Sequence, residues 1–407
     1  MVCGLLGRTL GHSYSPQIHS MLGNYTYQLF EKEPEEVESF LKSGSFDGLN
    51  VTIPYKQTVI PFLDELSPVA KALGAVNTIV RRDGKLIGHN TDYFGFQELV
   101  RASGLEIAGK KVLVLGTGGA SKPVTAVLRG LGARVVSISR SGEDNYDNLS
   151  RHADASVIVN TTPVGMYPKN GSAPLGLDGF PNLEGVLDII FNPARTQLML
   201  EAESRGLPAL GGLRMLVAQA KESSEWFTDS TIPQEKIEEI FHALTTQTEN
   251  IILIGMPGCG KTTIAGLLGQ TLGRTVVDAD EKIAALAEKS IPEIFARDGE
   301  EGFRQLETQV LSNLGKQSGL VIATGGGCVT RKENYPLLHQ NGKLFWLRRD
   351  LAMLPTDGRP LSQRQSLDAM YTRREPLYSS FADHIIDNNG TPEETITSIL
   401  SILEGNV

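Results

Sequence analysis

Cysteine is scarce: the 407 residues contain three, Cys3, Cys259 and Cys328. The number is odd and the spacing matches no metal-ligand pattern. Neither a disulfide framework nor a zinc site is expected, and a reducing compartment fits. Dense runs of lysine or arginine are also missing, and the formal net charge is −9. That argues against nucleic acid as a partner and requires any anionic substrate to be met by a local basic pocket. No apolar run approaches the length that crosses a bilayer, and the apolar start at residues 1–7 is too short for a signal peptide. A soluble, cytoplasmic chain that does not bind membranes is the expectation. Internal repeats and low-complexity tracts are lacking as well.

What is present describes an ordinary globular chain: 40% hydrophobic residues, 21% charged residues and 43 glycines, the last implying many tight turns. Such a length exceeds what one core usually organises, so two domains or more are expected. Short apolar strands at 112–115, 134–138, 157–159, 186–190, 251–254 and 321–323 alternate with amphipathic helical patterns, the rhythm of parallel α/β architecture. Residues 77–89 differ: two strand-like runs flank Asp83-Gly84, a pair suited to the positive φ angles of a hairpin turn. Helices are expected at 211–227 and at 233–244, the latter opening on Pro233. The polar stretch 246–250 before the next strand reads as a short linker.

The most specific motif is Gly255-Met-Pro-Gly258-Cys-Gly260-Lys261-Thr262-Thr263, set between an apolar strand and a helical pattern. Glycines let backbone N–H groups turn onto phosphate oxygens, Lys261 can reach the terminal phosphates, and Thr262 can ligate Mg²⁺, so ATP is the expected donor. Downstream stands Asp278-Ala-Asp280, which alternation along a strand would place on one face. Phe303-Arg304-Gln-Leu-Glu307 puts Arg304 and Glu307 at helical spacing, where the bland alternative is a surface ion pair worth little. Gly325-Gly326-Gly327 ends an apolar strand and permits close backbone approach to a ligand.

These motifs, with Gly358-Arg359-Pro-Leu and Arg374-Glu-Pro-Leu-Tyr378, resemble the shikimate kinase family over 251–407. The resemblance implies that Arg304 and Arg374 grip the shikimate carboxylate, with Gly325, Gly326 and Gly327 lining the acceptor site. It further implies that Asp280 binds the acceptor hydroxyl and acts as base, Asp278 assists the magnesium, and Arg359 comes from a lid to meet phosphoryl charge. One departure is that residues 351–357 lack the arginine the family usually places near the nucleotide base, and the lid is short.

The other half opens its nucleotide signal at 111–115, a strand running into Gly116-Thr-Gly118-Gly119-Ala120 and then a helical pattern. The next strand ends in Ser139-Arg140-Ser141, where a basic residue and hydroxyls suit a 2′-phosphate and hence NADP(H). Hydroxyls, amides, one lysine and one aspartate collect upstream at Ser13, Ser15, Thr52, Lys56, Asn77 and Asp92, groups that read a polyhydroxy acid. Lys56 held by Asp92 could supply the proton that carbonyl reduction needs, although singly they read as a solvated lysine and a helix cap.

In that order, and with Asn160-Thr161-Thr-Pro, Asp188-Ile-Ile-Phe191 and Gly211-Gly-Leu-Arg-Met215-Leu-Val-Ala-Gln219, residues 1–245 resemble shikimate dehydrogenase. The resemblance implies that Ser13, Ser15, Thr52, Asn77, Asp92 and Gln219 bind shikimate. Lys56 and Asp92 would be the catalytic pair, and Thr161 and Met215 would join Gly116–Ala120 and Ser139–Ser141 at NADP. Phe191 stands where the family usually has a tyrosine and Ser139 where it has an asparagine, so weaker substrate binding is expected.

The fold expected is α/β throughout. A mixed α/β substrate part at about 1–100, with a returning helix at about 211–245, would join a Rossmann-like NADP part at about 101–210. A P-loop, nucleoside-monophosphate-kinase-like domain would follow. The substrates implied are 3-dehydroshikimate and shikimate, with NADP(H), ATP and Mg²⁺ as cofactors and a homodimer as one possible state. Two alternatives stay open: a quinate/shikimate dehydrogenase joined to another small-molecule kinase, and an inactive regulatory binding module.

Overall fold

The computed structural model describes residues 1–11, 13–354 and 367–405. Among the described residues the strands form three sheets. The first contains β1 (Val2–Gly7), β2 (Thr26–Glu31), β3 (Gly48–Val51), β4 (Glu65–Leu66), β5 (Thr78–Arg82) and β6 (Lys85–His89), in the order β2-β1-β3-β5-β6-β4. β1 runs parallel to β2 and β3, whereas β5 is antiparallel to both β3 and β6. The β5–β6 hairpin forms at the expected turn, with Asp83 and Gly84 at φ of 50° and 78°.

The second sheet contains β7 (Lys111–Leu115), β8 (Arg134–Ile138), β9 (Val157–Asn160), β10 (Gly185–Asp188) and β11 (Ala209–Leu210), all parallel, in the order β11-β10-β9-β7-β8. A parallel sheet is covered on both faces. That is why residues 112–115 are apolar without alternation and fully buried. The third sheet is likewise parallel: β12 (Asn250–Ile254), β13 (Val276–Asp278), β14 (Val321–Ala323), β15 (Gly342–Arg348) and β16 (His384–Asp387), ordered β13-β14-β12-β15-β16. From β12 the chain first builds to one side and later to the other. This places a ligand crevice at the carboxyl end of β12.

The chain folds into two compact units. One is 1–166, 172–191 and 201–243; the other is 167–171, 192–200 and 244–407. The segment 246–250, expected to be a linker, is regular structure instead. A helix runs Glu235–Thr248 and β12 begins at Asn250. Ile237, Ile240 and Leu244 give that helix a buried stripe at 3.6-residue spacing, and the Thr248 hydroxyl donates to the Leu244 carbonyl at 2.8 Å. Polar threonines at its end are thereby accommodated. β10 also stops two residues short of the expected position 190, at Asp188.

Among the buried histidines of the first unit, two are stacked on aromatic rings. His19 stacks on Tyr27 with ring centroids 4.0 Å apart, and His89 on Trp226 at 3.6 Å. Burial pushes the His19 imidazole down to about 3, and burial together with the nearby Arg82 charge pushes His89 down to about 4. Both are neutral in the fold but free to protonate near pH 6.5 once unfolded. Their contribution to stability is complete above that pH and is lost as pH falls toward the folded values. Each accounts for about 2 kcal/mol of loss by pH 5. Urea unfolding of this unit at pH 7 and pH 5 checks the sign, and a flat profile would contradict it.

Candidate active sites

The phosphate loop leaves β12 as the sequence motif requires. Gly255, Gly258 and Gly260 take φ of +145°, +86° and +98°, angles open to glycine, and a helix begins at Lys261. Lys261 is buried, and its ammonium donates to the carbonyls of Gly255 and Met256 at 2.9 and 3.0 Å. The Thr262 hydroxyl lies 2.8 Å from Asp278 Oδ2. A hydroxyl and a carboxylate oxygen side by side at a phosphate loop fit Mg²⁺, a hard ion that keeps several waters and takes few protein ligands.

Asp278 and Asp280 do not alternate on one strand face. Asp278 ends β13 and caps the following helix, Ala279–Ala287, accepting from the Asp280 N–H at 2.9 Å. Asp280 therefore sits in the first helical turn. An N-cap replaces the expected strand because Asp is a strong capping residue.

Both carboxylates border a cavity of about 490 Å³, lined also by Gly258, Gly260, Lys261, Thr262, Thr263, Arg304, Gly325, Gly326, Gly327 and Arg374. Gly255 is not among its lining residues. Arg359, expected on the lid, lies outside the described residues.

The reading of Arg304 and Glu307 as a surface pair is overturned. Arg304 is 5% exposed and Glu307 fully buried, with Nη1 donating to Glu307 Oε2 at 2.6 Å. Burial pushes the Glu307 carboxyl up, against the opposing pull of Arg304. Arg374, 1% exposed, donates to the Gly326 carbonyl at 3.0 Å.

The triple glycine makes room for these groups. A Cβ on Gly325 would lie 2.8 Å from both Asp280 Oδ1 and Glu307 Oε1, one on Gly326 2.7 Å from the Pro257 ring, and one on Gly327 2.0 Å from Arg304 Nη2. Gly327→Ala must displace a guanidinium whose buried carboxylate would then lose its partner. Its KM for shikimate is expected to rise at least about tenfold, equivalent to about 1.4 kcal/mol, with NADPH oxidation unaffected. Steady-state kinetics of both activities on the variant check this.

In the first unit the Lys56 ammonium donates to Asp92 Oδ2 at 2.6 Å. Lys56 follows β3, and Asp92 opens the helix Asp92–Ser103 just after β6. The hairpin therefore carries the carboxylate to the lysine. Around the pair, Asn77 and Gln219 are tied to one hydroxyl. Asn77 Nδ2 donates to Thr91 Oγ1 at 3.1 Å, and Thr91 Oγ1 donates to Gln219 Oε1 at 3.4 Å. Ser13 accepts from the Ser15 N–H at 3.2 Å, Ser15 begins a helix, and Thr52 directly follows β3. Asn77 immediately precedes β5, Asp92 follows β6, and Gln219 comes from the helix Leu213–Thr228. Thr91, Asn50, Thr78 and Ser223 also belong to this buried polar group, and no motif singles out Ser223.

Gly116, Ser139 and Thr161 follow β7, β8 and β9, three neighbouring strands whose carboxyl ends form one edge. Ala120 precedes the helix Ser121–Gly130. Cβ atoms placed on Gly118 and Gly119 would meet nothing within 4 Å, so the loop faces open space at a helix start, which suits a pyrophosphate. Arg140 and Ser141 are exposed beyond β8. The Thr161 hydroxyl donates to the Leu115 carbonyl at 2.6 Å, holding β9 to β7. Met215 is buried in the helix Leu213–Thr228, in the core shared with Val114 and Leu187. Phe191 packs its ring 5.7 Å from that of Tyr14.

A parallel sheet with a glycine loop and a lysine–carboxylate pair defines a nicotinamide-dependent oxidoreductase, and the third sheet with its loop and acidic pair defines a phosphoryl-transfer enzyme. Two family models match the chain: the shikimate dehydrogenase substrate binding domain over residues 5–79, and shikimate kinase over residues 257–404. The shikimate dehydrogenase (NADP(+)) of Clostridium beijerinckii is 35% identical over 259 residues, 58% of this chain and 96% of that one. A chorismate mutase/shikimate 5-dehydrogenase fusion from Clostridium acetobutylicum is 36% identical, with a TM-score of 0.57, over 60% of this chain and 96% of that one. Shikimate 5-dehydrogenase from Thermus thermophilus, solved with NADP(H) and shikimate, is 30% identical with a TM-score of 0.55, over 60% of this chain and 99% of that one. The chain belongs to the shikimate dehydrogenase family, and a shikimate kinase domain follows in the same polypeptide.

Proposed function

We propose that this chain carries out two consecutive steps of the shikimate pathway, reduction of 3-dehydroshikimate to shikimate and phosphorylation of that shikimate to shikimate 3-phosphate. The observation that carries the reading is the coincidence in one chain of the Lys56–Asp92 pair with a cavity where a phosphate loop faces Asp280, Arg304 and Arg374. The product of the first site is the substrate of the second.

When bound, NADPH supplies a hydride and MgATP a phosphoryl group; the rest falls to the chain's own side chains. In the first site Lys56 gives a proton to the substrate carbonyl oxygen and Asp92 fixes the ammonium's direction. Ser13, Ser15, Thr52, Asn77 and Gln219 read the ring hydroxyls and carboxylate. Gly116, Gly118, Gly119 and Ala120 offer the pyrophosphate edge, and Ser139, Arg140 and Ser141 meet the 2′-phosphate. In the second site Arg304 and Arg374 hold the shikimate carboxylate, and Asp280 takes the proton of the attacking hydroxyl. Lys261 turns to the terminal phosphates, with Thr262 and Asp278 beside Mg²⁺. A cytoplasmic setting belongs to the same reading, supported by three buried free thiols.

The test supplies the intact chain with 3-dehydroshikimate, NADPH, ATP and Mg²⁺, and follows NADPH oxidation, ADP and shikimate 3-phosphate separately. All three signals support the reading. NADPH oxidation without ADP removes the kinase assignment, and its absence removes the dehydrogenase assignment.

A further inference from the structure

We propose that Ser223 is a positioning residue of the reductase site, the hydroxyl that locks the substrate-reading groups of the N-terminal sheet to those of the helix Leu213–Thr228. The proposal rests on the reduction of 3-dehydroshikimate assigned above. Ser223 is fully buried.

Its Oγ lies within hydrogen-bond distance of four groups, and neither Lys56 nor Asp92 is one of them. It donates to the Gln219 carbonyl at 2.8 Å, receives Asn50 Nδ2 at 2.7 Å, and lies 2.9 Å from Thr78 Oγ1 and 3.0 Å from Thr91 Oγ1. A hydroxyl has one proton and two lone pairs, so at most three of these four contacts are hydrogen bonds at a time: with its proton on the Gln219 carbonyl and Asn50 donating to it, one of Thr78 and Thr91 donates to the remaining lone pair. Three of these neighbours lead to the substrate groups. Thr91 lies between Asn77 and Gln219, Thr78 Oγ1 is 3.2 Å from Asn77 Oδ1, and the Gln219 carbonyl belongs to the residue whose amide reads substrate.

The orientation of the network is fixed from outside. Tyr27, stacked on His19, donates its hydroxyl to Asn50 Oδ1 at 2.8 Å, which leaves the Asn50 NH₂ to point at Ser223 and Thr78. Asn50, Asn77, Thr78, Thr91 and Gln219 are all 8% exposed or less, so water cannot readily replace a missing partner. Removing the Ser223 hydroxyl frees Asn50, Thr78 and Thr91 to find other partners. Asn77 and Gln219 then lose their shared reference, while Lys56, Asp92 and the nucleotide edge keep theirs.

The test compares Ser223→Ala, Thr78→Val and the double variant with the unaltered full chain. The expected result for Ser223→Ala is a rise of about tenfold in KM for 3-dehydroshikimate, a factor equivalent to about 1.4 kcal/mol. KM for NADPH should be unchanged and kcat less affected. The double variant should be no worse than about the larger single effect, because the two residues act through one network. An unchanged KM for 3-dehydroshikimate overturns the proposal. So does an equal rise in both KM values, or additive effects in the double variant, since any general loosening of the fold would produce those. If the unaltered chain does not reduce 3-dehydroshikimate, the reaction assignment fails first and the proposal falls with it.

Discussion

Lys56→Ala is expected to lower kcat for NADPH oxidation by 3-dehydroshikimate by about 10²–10⁴-fold, the usual contribution of a positioned acid. ADP release on added shikimate should be untouched. The ammonium is 2.6 Å from Asp92 and both side chains are mostly buried, so solvent does not readily stand in for the lost proton donor. Loss in kcat with little change in KM would mark an interaction made chiefly in the transition state. Lys56→Met, which likewise leaves Asp92 without its cation but loses less volume, offers a second measure. Normal turnover by either variant removes Lys56 from the acid role.

Asp280→Asn should have the mirror effect, a fall of about 10²–10⁴-fold in kcat for shikimate 3-phosphate formation, with NADPH oxidation intact. Asparagine keeps the shape and the helical position but cannot take up a proton. Asp278 cannot stand in for it, since its Oδ1 caps the Asp280 N–H and its Oδ2 lies against Thr262. The variant separates two roles of Asp280, because holding the acceptor hydroxyls would appear in KM and accepting the proton in kcat. Assaying ADP and shikimate 3-phosphate together also detects ATP hydrolysis uncoupled from transfer.

Much of the fold and of both sites is legible in the sequence because the decisive devices are local. Residues 255–262 and 116–120 announce themselves as glycines followed by a helix start, and a phosphate needs only backbone N–H groups from a few consecutive residues. The Asp83-Gly84 turn is local too, and it brings Asp92 back toward Lys56. What the sequence conceals depends on burial or on distant neighbours. Spacing puts Arg304 and Glu307 on one helical face without saying that the face is interior. Asp278-Ala-Asp280 reads as a strand, although Asp followed by Ala-Asp-Glu is also an N-terminal helix signature. The contact between Thr78 and Ser223 joins residues 145 positions apart, and a serine within a helix carries no local sign of it.

The glycine run 325–327 bears on how this kinase site can change in evolution. Each of its three positions abuts a different working part: the Asp280 and Glu307 carboxylates, the phosphate loop at Pro257, and the Arg304 guanidinium. On the roles proposed above, a side chain added at any of the three would crowd the proton acceptor, the phosphate loop or the acceptor grip. Another wall of the cavity, Ile291, Pro292, Phe295 and Phe303, is built of side chains that fill space and carry no charge. Drift toward other ring acids would therefore be recorded on that apolar wall, while the glycines stay as they are.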